Sequence, residues 1–380
     1  MPDATPSPPP RPAPARSVLT LRAVQLDQDV PLAPLTTLGV GGGAQYFRRA
    51  SSEAELIEAV RWADRHRVSL YVLGGGSNLV VSDAGVTGLV LQVDIRGVRL
   101  VPDGDVTHLQ AAAGEPWDDV VRRAVAENLA GLECLSGIPG RVGATPIQNV
   151  GAYGQDVSET ITEVRCFDRR RDELVTLHSA ECAFAYRDSR LKSAEPDRFV
   201  VLEVRYRLER DGAPTLRYAE LERALGSEAP TLAEVRRTVI ELRRKKGMVV
   251  DPADADTASC GSFFVNPVVE ASHAARIEAE FPGETMPRFA APGGLVKLSA
   301  GWLIERAGLV RGTVRGRAGI SSKHALALTA LPGARARDVV DLAREVRRAV
   351  ETRFAVRLVP EPVCWGFASL DDRLPDDRVC

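Results

Sequence analysis

Two glycine-rich segments carry the residue types that can hold a phosphate and a flat ring against a backbone. Gly74-Gly75-Gly76-Ser77-Asn78-Leu79 directly follows the apolar run 70–73. Glycine admits positive φ and lets N–H groups approach a ligand closely. Consecutive N–H groups form a nest for phosphate oxygens without a lysine, and Ser77 and Asn78 add side-chain donors. The same residues also suit a tight strand–loop that binds nothing. They are not a P-loop, because no Gly-Lys-Ser/Thr follows, nor a Gly-x-Gly-x-x-Gly turn opening a helix. The second segment, 137–154, reads Gly-Ile-Pro-Gly-Arg-Val-Gly-Ala-Thr-Pro-Ile-Gln-Asn-Val-Gly-Ala-Tyr-Gly, with five glycines and two prolines. Long irregular segments within compact domains are usually functional. Small residues let a planar ring lie on the backbone, and Gln148 and Asn149 supply amide donors and acceptors; a long structural turn is the alternative. Farther on, Arg243-Arg244-Lys245-Lys246 is a local concentration of positive charge. Part of it complements a helix C-terminus, and part is free to meet an anion.

The elements that must position these residues alternate strand and helix. Residues 52–66 read as a helix, with Ser52 and Glu55 as a capping box and Leu56, Ile57, Val60 and Ala63 on one face. Strands follow at 70–73 and 88–93, then a hairpin over 98–112. A second helix is expected over 117–129, with Val120, Val121, Ala124 and Leu129 inward. Residues 160–208 read as antiparallel strands. Thr231 and Glu234 cap a helix running to about Lys245, and two more helices are expected at 299–307 and 337–352. Interleaved hairpins and helices make the fold class α+β.

The chain has 380 residues, 49 Lys plus Arg and 51 Asp plus Glu, for a formal net charge of −2. Such a chain has no global field for nucleic acid or an anionic membrane, so anionic ligands need local groups. The length implies more than one core. No apolar run reaches the roughly 20 residues of a membrane span. The Pro-rich start has no signal-peptide pattern. The six cysteines include no Cys-x-x-Cys pair and read as reduced cytosolic thiols. The expectation is a cytoplasmic monomer, with no nucleic-acid or membrane partner and no metal, because the histidines show no ligand spacing.

The two glycine segments together resemble the FAD-binding region of the vanillyl-alcohol-oxidase-type (PCMH-type) flavoprotein superfamily. Phe184-Ala185-Tyr186-Arg187-Asp188-Ser189, Gly261-Ser262-Phe263-Phe264-Val265-Asn266-Pro267, the stretch from Val296 to Ile304 and Val359-Pro360-Glu361-Pro362 then resemble one of its families, UDP-N-acetylenolpyruvoylglucosamine reductase. The resemblance runs from about 30 to 366, in the family's order. It implies a two-part FAD-binding region followed by a C-terminal α/β substrate-binding domain.

The resemblance also implies cofactors and roles. FAD would be held by Gly74, Gly75, Gly76, Ser77, Asn78, Leu79, Gly137, Ile138, Pro139, Gly143, Ala144, Pro146, Gln148, Asn149, Gly151, Ala152 and Tyr153. Neither loop has a His or Cys, so the FAD would be noncovalent, and nearby Cys134 belongs to the core. NADPH would be the cosubstrate. Arg187 would be the cation beside the substrate carboxylate, Glu361 its neighbour, and Ser262 the general acid. Taken singly, Arg187 beside Asp188 reads as a surface ion pair, Ser262 after Gly261 as a turn residue, and Glu361 between prolines as solvated. Leu216-Arg217-Tyr218-Ala219-Glu220-Leu221 resembles the tyrosine-bearing insertion of one type in the family. Tyr218, Arg243, Lys246, Asn266 and Lys297 are its substrate-binding candidates for a UDP-sugar, with Lys245 a competing register for Lys246. Trp302 and Leu303 read as helix core.

The sequence departs from the family in a longer 247–261 segment and in Thr36 where asparagine is usual. Cys260 stands two residues before Ser262 as a second possible proton donor. The expected division is a Pro-rich tail over 1–18, FAD-binding parts over 19–96 (with 355–369 returning to it) and 97–246, a substrate domain over 247–354, and a tail over 370–380. Two other readings remain open: an oxidase of the same superfamily, and a flavin- or nucleotide-sugar-binding module without turnover.

Overall fold

The computed structural model describes residues 18–21, 24–226 and 229–367. The expected tail over 370–380, and all but the last residue of that over 1–18, lie outside the described residues.

The helices are α1 (Glu53–His66), α2 (Trp117–Ala126), α3 (Thr145–Gln148), α4 (Ala219–Leu225), α5 (Leu232–Lys245), α6 (Ala271–Ala279), α7 (Ala300–Arg306) and α8 (Ala336–Phe354). Their partners are mixed and antiparallel sheets, which is the α+β class. In the first sheet the order is Val18–Leu21, Val24–Pro31, Gly43–Ala50, Val86–Val93, Leu70–Leu73, the last two pairings parallel. α1 covers it with Leu56, Ala59, Val60, Trp62 and Ala63, and Ser52 caps its N-terminus by accepting the Glu55 N–H. Leu70–Leu73 is the edge strand, so the chain leaves it straight into Gly74.

The second sheet is antiparallel: Glu173–His178, Ile161–Asp168, Phe199–Arg210, Val106–Ala112, Val98–Asp103. α2 ends at Ala126 rather than 129. Asn128 takes φ 52°, which asparagine tolerates, and Leu129–Ala130 becomes a short strand against Glu209 and Arg210. Leu129 is buried in the strand, so an apolar residue at helical spacing did not mark a helical position. The 160–208 stretch is likewise interrupted, by helical turns at Ser179–Cys182 and Arg190–Ala194.

One apolar core runs from Val24 to Leu208 and joins the first two sheets. A second gathers Phe263, Phe264, Trp302, Leu303, Ile304 and the inner face of α8, together with Leu38, Val40 and Val80 from the N-terminal part. At the end of the chain Val363–Trp365 pairs in parallel with Leu79–Val81. This return carries residues 359–361 against 263–265. No described helix is long and apolar enough to cross a membrane.

Candidate active site

The two glycine loops fold against each other. A Cβ on Gly75 would stand 2.7 Å from the Gly140 Cα, and one on Gly76, at φ 63°, 2.0 Å from the Leu35 carbonyl oxygen. These are places where only glycine fits. Ser77 Oγ donates to the Pro139 carbonyl at 3.1 Å, and Asn78 Nδ2 to the Glu361 carbonyl at 3.3 Å. Among the described residues the N–H groups of Gly75, Gly76 and Ser77 have no acceptor. Three unpaired donors in succession are what a diphosphate requires, so this loop fits the phosphates of FAD. Gly137 (φ 72°) donates its N–H to Asp118 Oδ1 at 2.6 Å, and a side chain there would press on Val249 and Arg243. Leu79 and Pro146 are buried, Ile138 packs on the first core, and Ala144 is exposed. Gly143 lies against Ala113, its N–H bonded to the Ala113 carbonyl.

Farther along the second loop the contacts turn to Arg187. Asn149, at φ 44°, donates Nδ2 to the Ala185 carbonyl at 2.8 Å and accepts the Ser158 N–H. Its amide therefore holds the Arg187 loop. Arg187 itself takes φ 56°. Its Nη2 donates to the Gly151 carbonyl at 2.6 Å, its Nη1 to the Asn149 carbonyl at 3.4 Å, and its Nε lies 3.3 Å from Glu361 Oε1. A Cβ on Gly151 would collide with Asp156 Oδ1 at 1.5 Å and reach 3.1 Å from Arg187 Nη1. Burial pushes the Asp156 carboxyl above its usual range, while Arg187 pulls it the other way. Asp188 does not neutralise Arg187: its carboxylate accepts the Ser189 N–H and the Ser193 hydroxyl.

Glu361 joins the three distant motifs. Its N–H donates to the Phe263 carbonyl at 2.9 Å, one residue from Ser262. Its Oε1 also accepts Gln148 Nε2 at 2.9 Å. Ser262 ends the strand Ser259–Ser262, half-buried, behind Gly261 at φ 77°. Cys260 is buried, and burial pushes its thiol up to about 12, so it holds its proton tightly. Buried Cys134 donates Sγ–H to the Thr215 carbonyl.

The other candidates line the same region. At the end of α5, Arg243 and Lys246, the residue that caps the helix, are half-buried, while Arg244 and Lys245 are exposed. Lys246 Nζ meets Glu220 at 2.5 Å and lies 5.5 Å from the Tyr153 ring centre. Tyr153 and Tyr218 meet edge-on at 5.4 Å, and burial raises the Tyr153 hydroxyl to about 12. Arg243 donates Nη2 to the Met248 carbonyl at 2.8 Å, while its buried Nε has no partner among the described residues. Burial lowers its pKa to about 10. Asn266 Oδ1 accepts the Ala300 N–H at 2.9 Å, and Lys297 Nζ stands 4.3 Å from the Tyr186 ring centre. Trp302 and Leu303 are buried in α7.

Sequence reasoning missed several neighbours. Lys192 bonds Gln148, Glu220 bonds Lys246, and His324 is held by burial to a pKa of about 4 near Lys246 and Arg243. Lys192 lies five residues after Arg187, a spacing that signals nothing until the π-helical turn at Arg190–Ala194 is known.

Comparison with known proteins agrees with this geometry. Residues 44–178 match the FAD binding domain model, and residues 251–365 match that of UDP-N-acetylenolpyruvoylglucosamine reductase, C-terminal domain. The Streptomyces coelicolor UDP-N-acetylenolpyruvoylglucosamine reductase is 52% identical over 359 residues, covering 92% of either chain. That of Thermobifida fusca is 51% identical, over 89% of this chain and 98% of its own. The crystal structure of the Thermus caldophilus enzyme superposes with a TM-score of 0.61 at 28% identity, over 89% of this chain and 98% of that one. With half its residues shared along nearly the full length of such relatives, the chain belongs to the UDP-N-acetylenolpyruvoylglucosamine reductase family, FAD-dependent oxidoreductases of peptidoglycan precursor synthesis.

Proposed function

We propose that this enzyme reduces the enolpyruvyl double bond of UDP-N-acetylglucosamine enolpyruvate to give UDP-N-acetylmuramate, with NADPH as hydride source and noncovalently held FAD. The observation that supports the reading is that Glu361 meets Arg187 with its carboxylate and Phe263, the neighbour of Ser262, with its backbone. FAD held there would supply the hydride chemistry that links NADPH to the terminal enolpyruvyl carbon. Residues 19–96, 97–246 and the returning 355–369 would build its site, and 247–354 would cover the substrate.

The chain's own residues handle the charge and the proton. Negative charge develops on the carbon next to the carboxylate as the hydride arrives. Arg187, fixed by the Asn149 and Gly151 carbonyls, stabilises that charge without reorganising, so its effect is largest in the transition state. Ser262 Oγ supplies the proton to the same carbon; a hydroxyl is a weak acid, but the acceptor is a strong base. Glu361 fixes the guanidinium and shares the carboxylate pocket. Lys246, Arg243, Asn266, Lys297 and Tyr218 would bind the nucleotide diphosphate end, with Glu220 giving way to phosphate at Lys246.

The test is direct. Purified protein should be yellow, and without dioxygen it should consume NADPH beyond one equivalent per flavin only when the enolpyruvyl sugar is added. NADPH oxidation driven by dioxygen and indifferent to the sugar would favour the oxidase reading. Sugar binding without NADPH consumption would favour the binding module.

A further inference from the structure

Behind the Arg187–Glu361 pair stands a lysine that the roles assigned above do not use. Lys192 lies in the π-helical turn Arg190–Ala194. Its Nζ donates to Gln148 Oε1 at 2.9 Å and to the Arg187 carbonyl at 2.8 Å. The other end of the same amide, Gln148 Nε2, donates to Glu361 Oε1 at 2.9 Å. That oxygen is also 3.3 Å from Arg187 Nε. The four residues therefore close a ring that ties the second glycine loop, the Arg187 loop and the C-terminal return together.

The ring has a polarity that the ammonium at 192 and the Glu361 carboxylate enforce from opposite ends of the amide. An amide has one acceptor end and one donor end. With an ammonium on Oε1, Nε2 must face Glu361. Turning the amide over would set its NH2 against the ammonium and its oxygen against the carboxylate, leaving donors facing donors and acceptors facing acceptors. Without the ammonium only the carboxylate opposes that turn, so the amide is fixed at one end instead of two and holds Glu361 less firmly. Lys192 also holds the carbonyl of Arg187, a non-glycine residue in the left-handed region. Burial lowers the ammonium's pKa, with Glu361 and Asp188 pulling it back up and Arg187 lowering it further.

We propose that Lys192 is a positioning residue for the reduction step: it sets the Gln148 amide so that Glu361 is held beside Arg187 in the geometry that receives the substrate carboxylate. The inference rests on the proposed roles of Arg187 and Glu361. It differs from simple loop stabilisation because it acts through Gln148.

A double-mutant cycle separates the two. Wild-type holoenzyme, Lys192→Met, Gln148→Leu and the double variant are followed anaerobically in each half-reaction, and UDP-N-acetylmuramate affinity is measured by calorimetry. Lys192→Met should slow oxidation of the reduced enzyme by the enolpyruvyl sugar about 10- to 100-fold, the range of a hydrogen bond to a charged group. Reduction by NADPH should change by less than about 3-fold. In the Gln148→Leu background the same change should cost less than about 3-fold further, because the coupled partner is already gone. Product affinity should show the same non-additivity, and Lys192→Arg should recover most of the lost rate. Additive effects, or an unchanged oxidation rate in Lys192→Met, overturn the proposal. Should Lys192→Met fail to retain FAD, Lys192→Gln takes its place in the cycle under the same criteria. Reduced wild-type enzyme that the enolpyruvyl sugar cannot oxidise would instead overturn the reading of the site itself.

Discussion

Glu361 touches Arg187 with its side chain and Phe263, next to Ser262, with its backbone, so the candidate site draws single residues from distant parts of the chain. Replacing Arg187 by methionine removes the cation proposed to stabilise the developing charge. The second half-reaction should slow about 100- to 1000-fold, as measured for the loss of one preorganised donor elsewhere, with flavin reduction affected less. Lys246→Ala should weaken UDP-sugar binding about 10-fold or more, read by calorimetry, because a charged contact to phosphate is lost; an unchanged affinity would remove Lys246 from the site. At this scale the sequence was legible only through whole motifs. Arg187 beside Asp188 looked like an ordinary ion pair, yet Asp188 turns its carboxylate to Ser189 and Ser193. The choice between Lys245 and Lys246 needed the helix phase, which turns Lys246 inward. Lys192 and His324 had no readable signal, since their importance comes from burial and from partners distant in the chain.

At the scale of elements, local chemistry wrote most of the fold plainly. The Thr231–Glu234 capping box is present, and α5 runs to Lys245 as its pattern implies. Thr231→Ala should cost about 1 kcal/mol of stability, seen as a lower thermal midpoint, with FAD retained. The glycine loop should be far less tolerant. Gly76→Ala forces a Cβ to 2.0 Å from the Leu35 carbonyl at a positive φ, so the loop must move. Loss of FAD affinity by about 10-fold or more is expected, read by flavin fluorescence on dilution, because the adjacent N–H groups would be re-aimed. Elements were missed where local signals conflict. α6, Ala271–Ala279, buries only Ala274 and Ile277 and so shows little periodicity. The end of α2 was hidden because Leu129, buried in a short strand, also falls at helical spacing from the α2 apolar face.

For the whole molecule, tertiary burial creates a pH dependence that no segment shows alone. His324 accepts the Leu326 N–H through Nδ1 and faces Lys246, Arg311, Glu220 and Arg243. Burial, aided by those cations, lowers its pKa from 6.5 to about 4. Between these values the unfolded chain binds more protons than the fold. Stability should therefore fall as pH drops from 6.5 towards about 4, by about 3 kcal/mol from this group. In denaturant titrations His324→Gln should show a flatter profile over that window. The pairing of Val363–Trp365 with Leu79–Val81, which carries Glu361 towards Arg187, is a long-range contact that no local pattern encodes. Ser262 is proposed to give the proton in a step separate from flavin reduction. Anaerobic stopped-flow of Ser262→Ala isolates that step. Reduction by NADPH should stay within about 3-fold of wild type while oxidation by the enolpyruvyl sugar slows about 100- to 10,000-fold; equal losses in both half-reactions, or an undiminished second one, would contradict it.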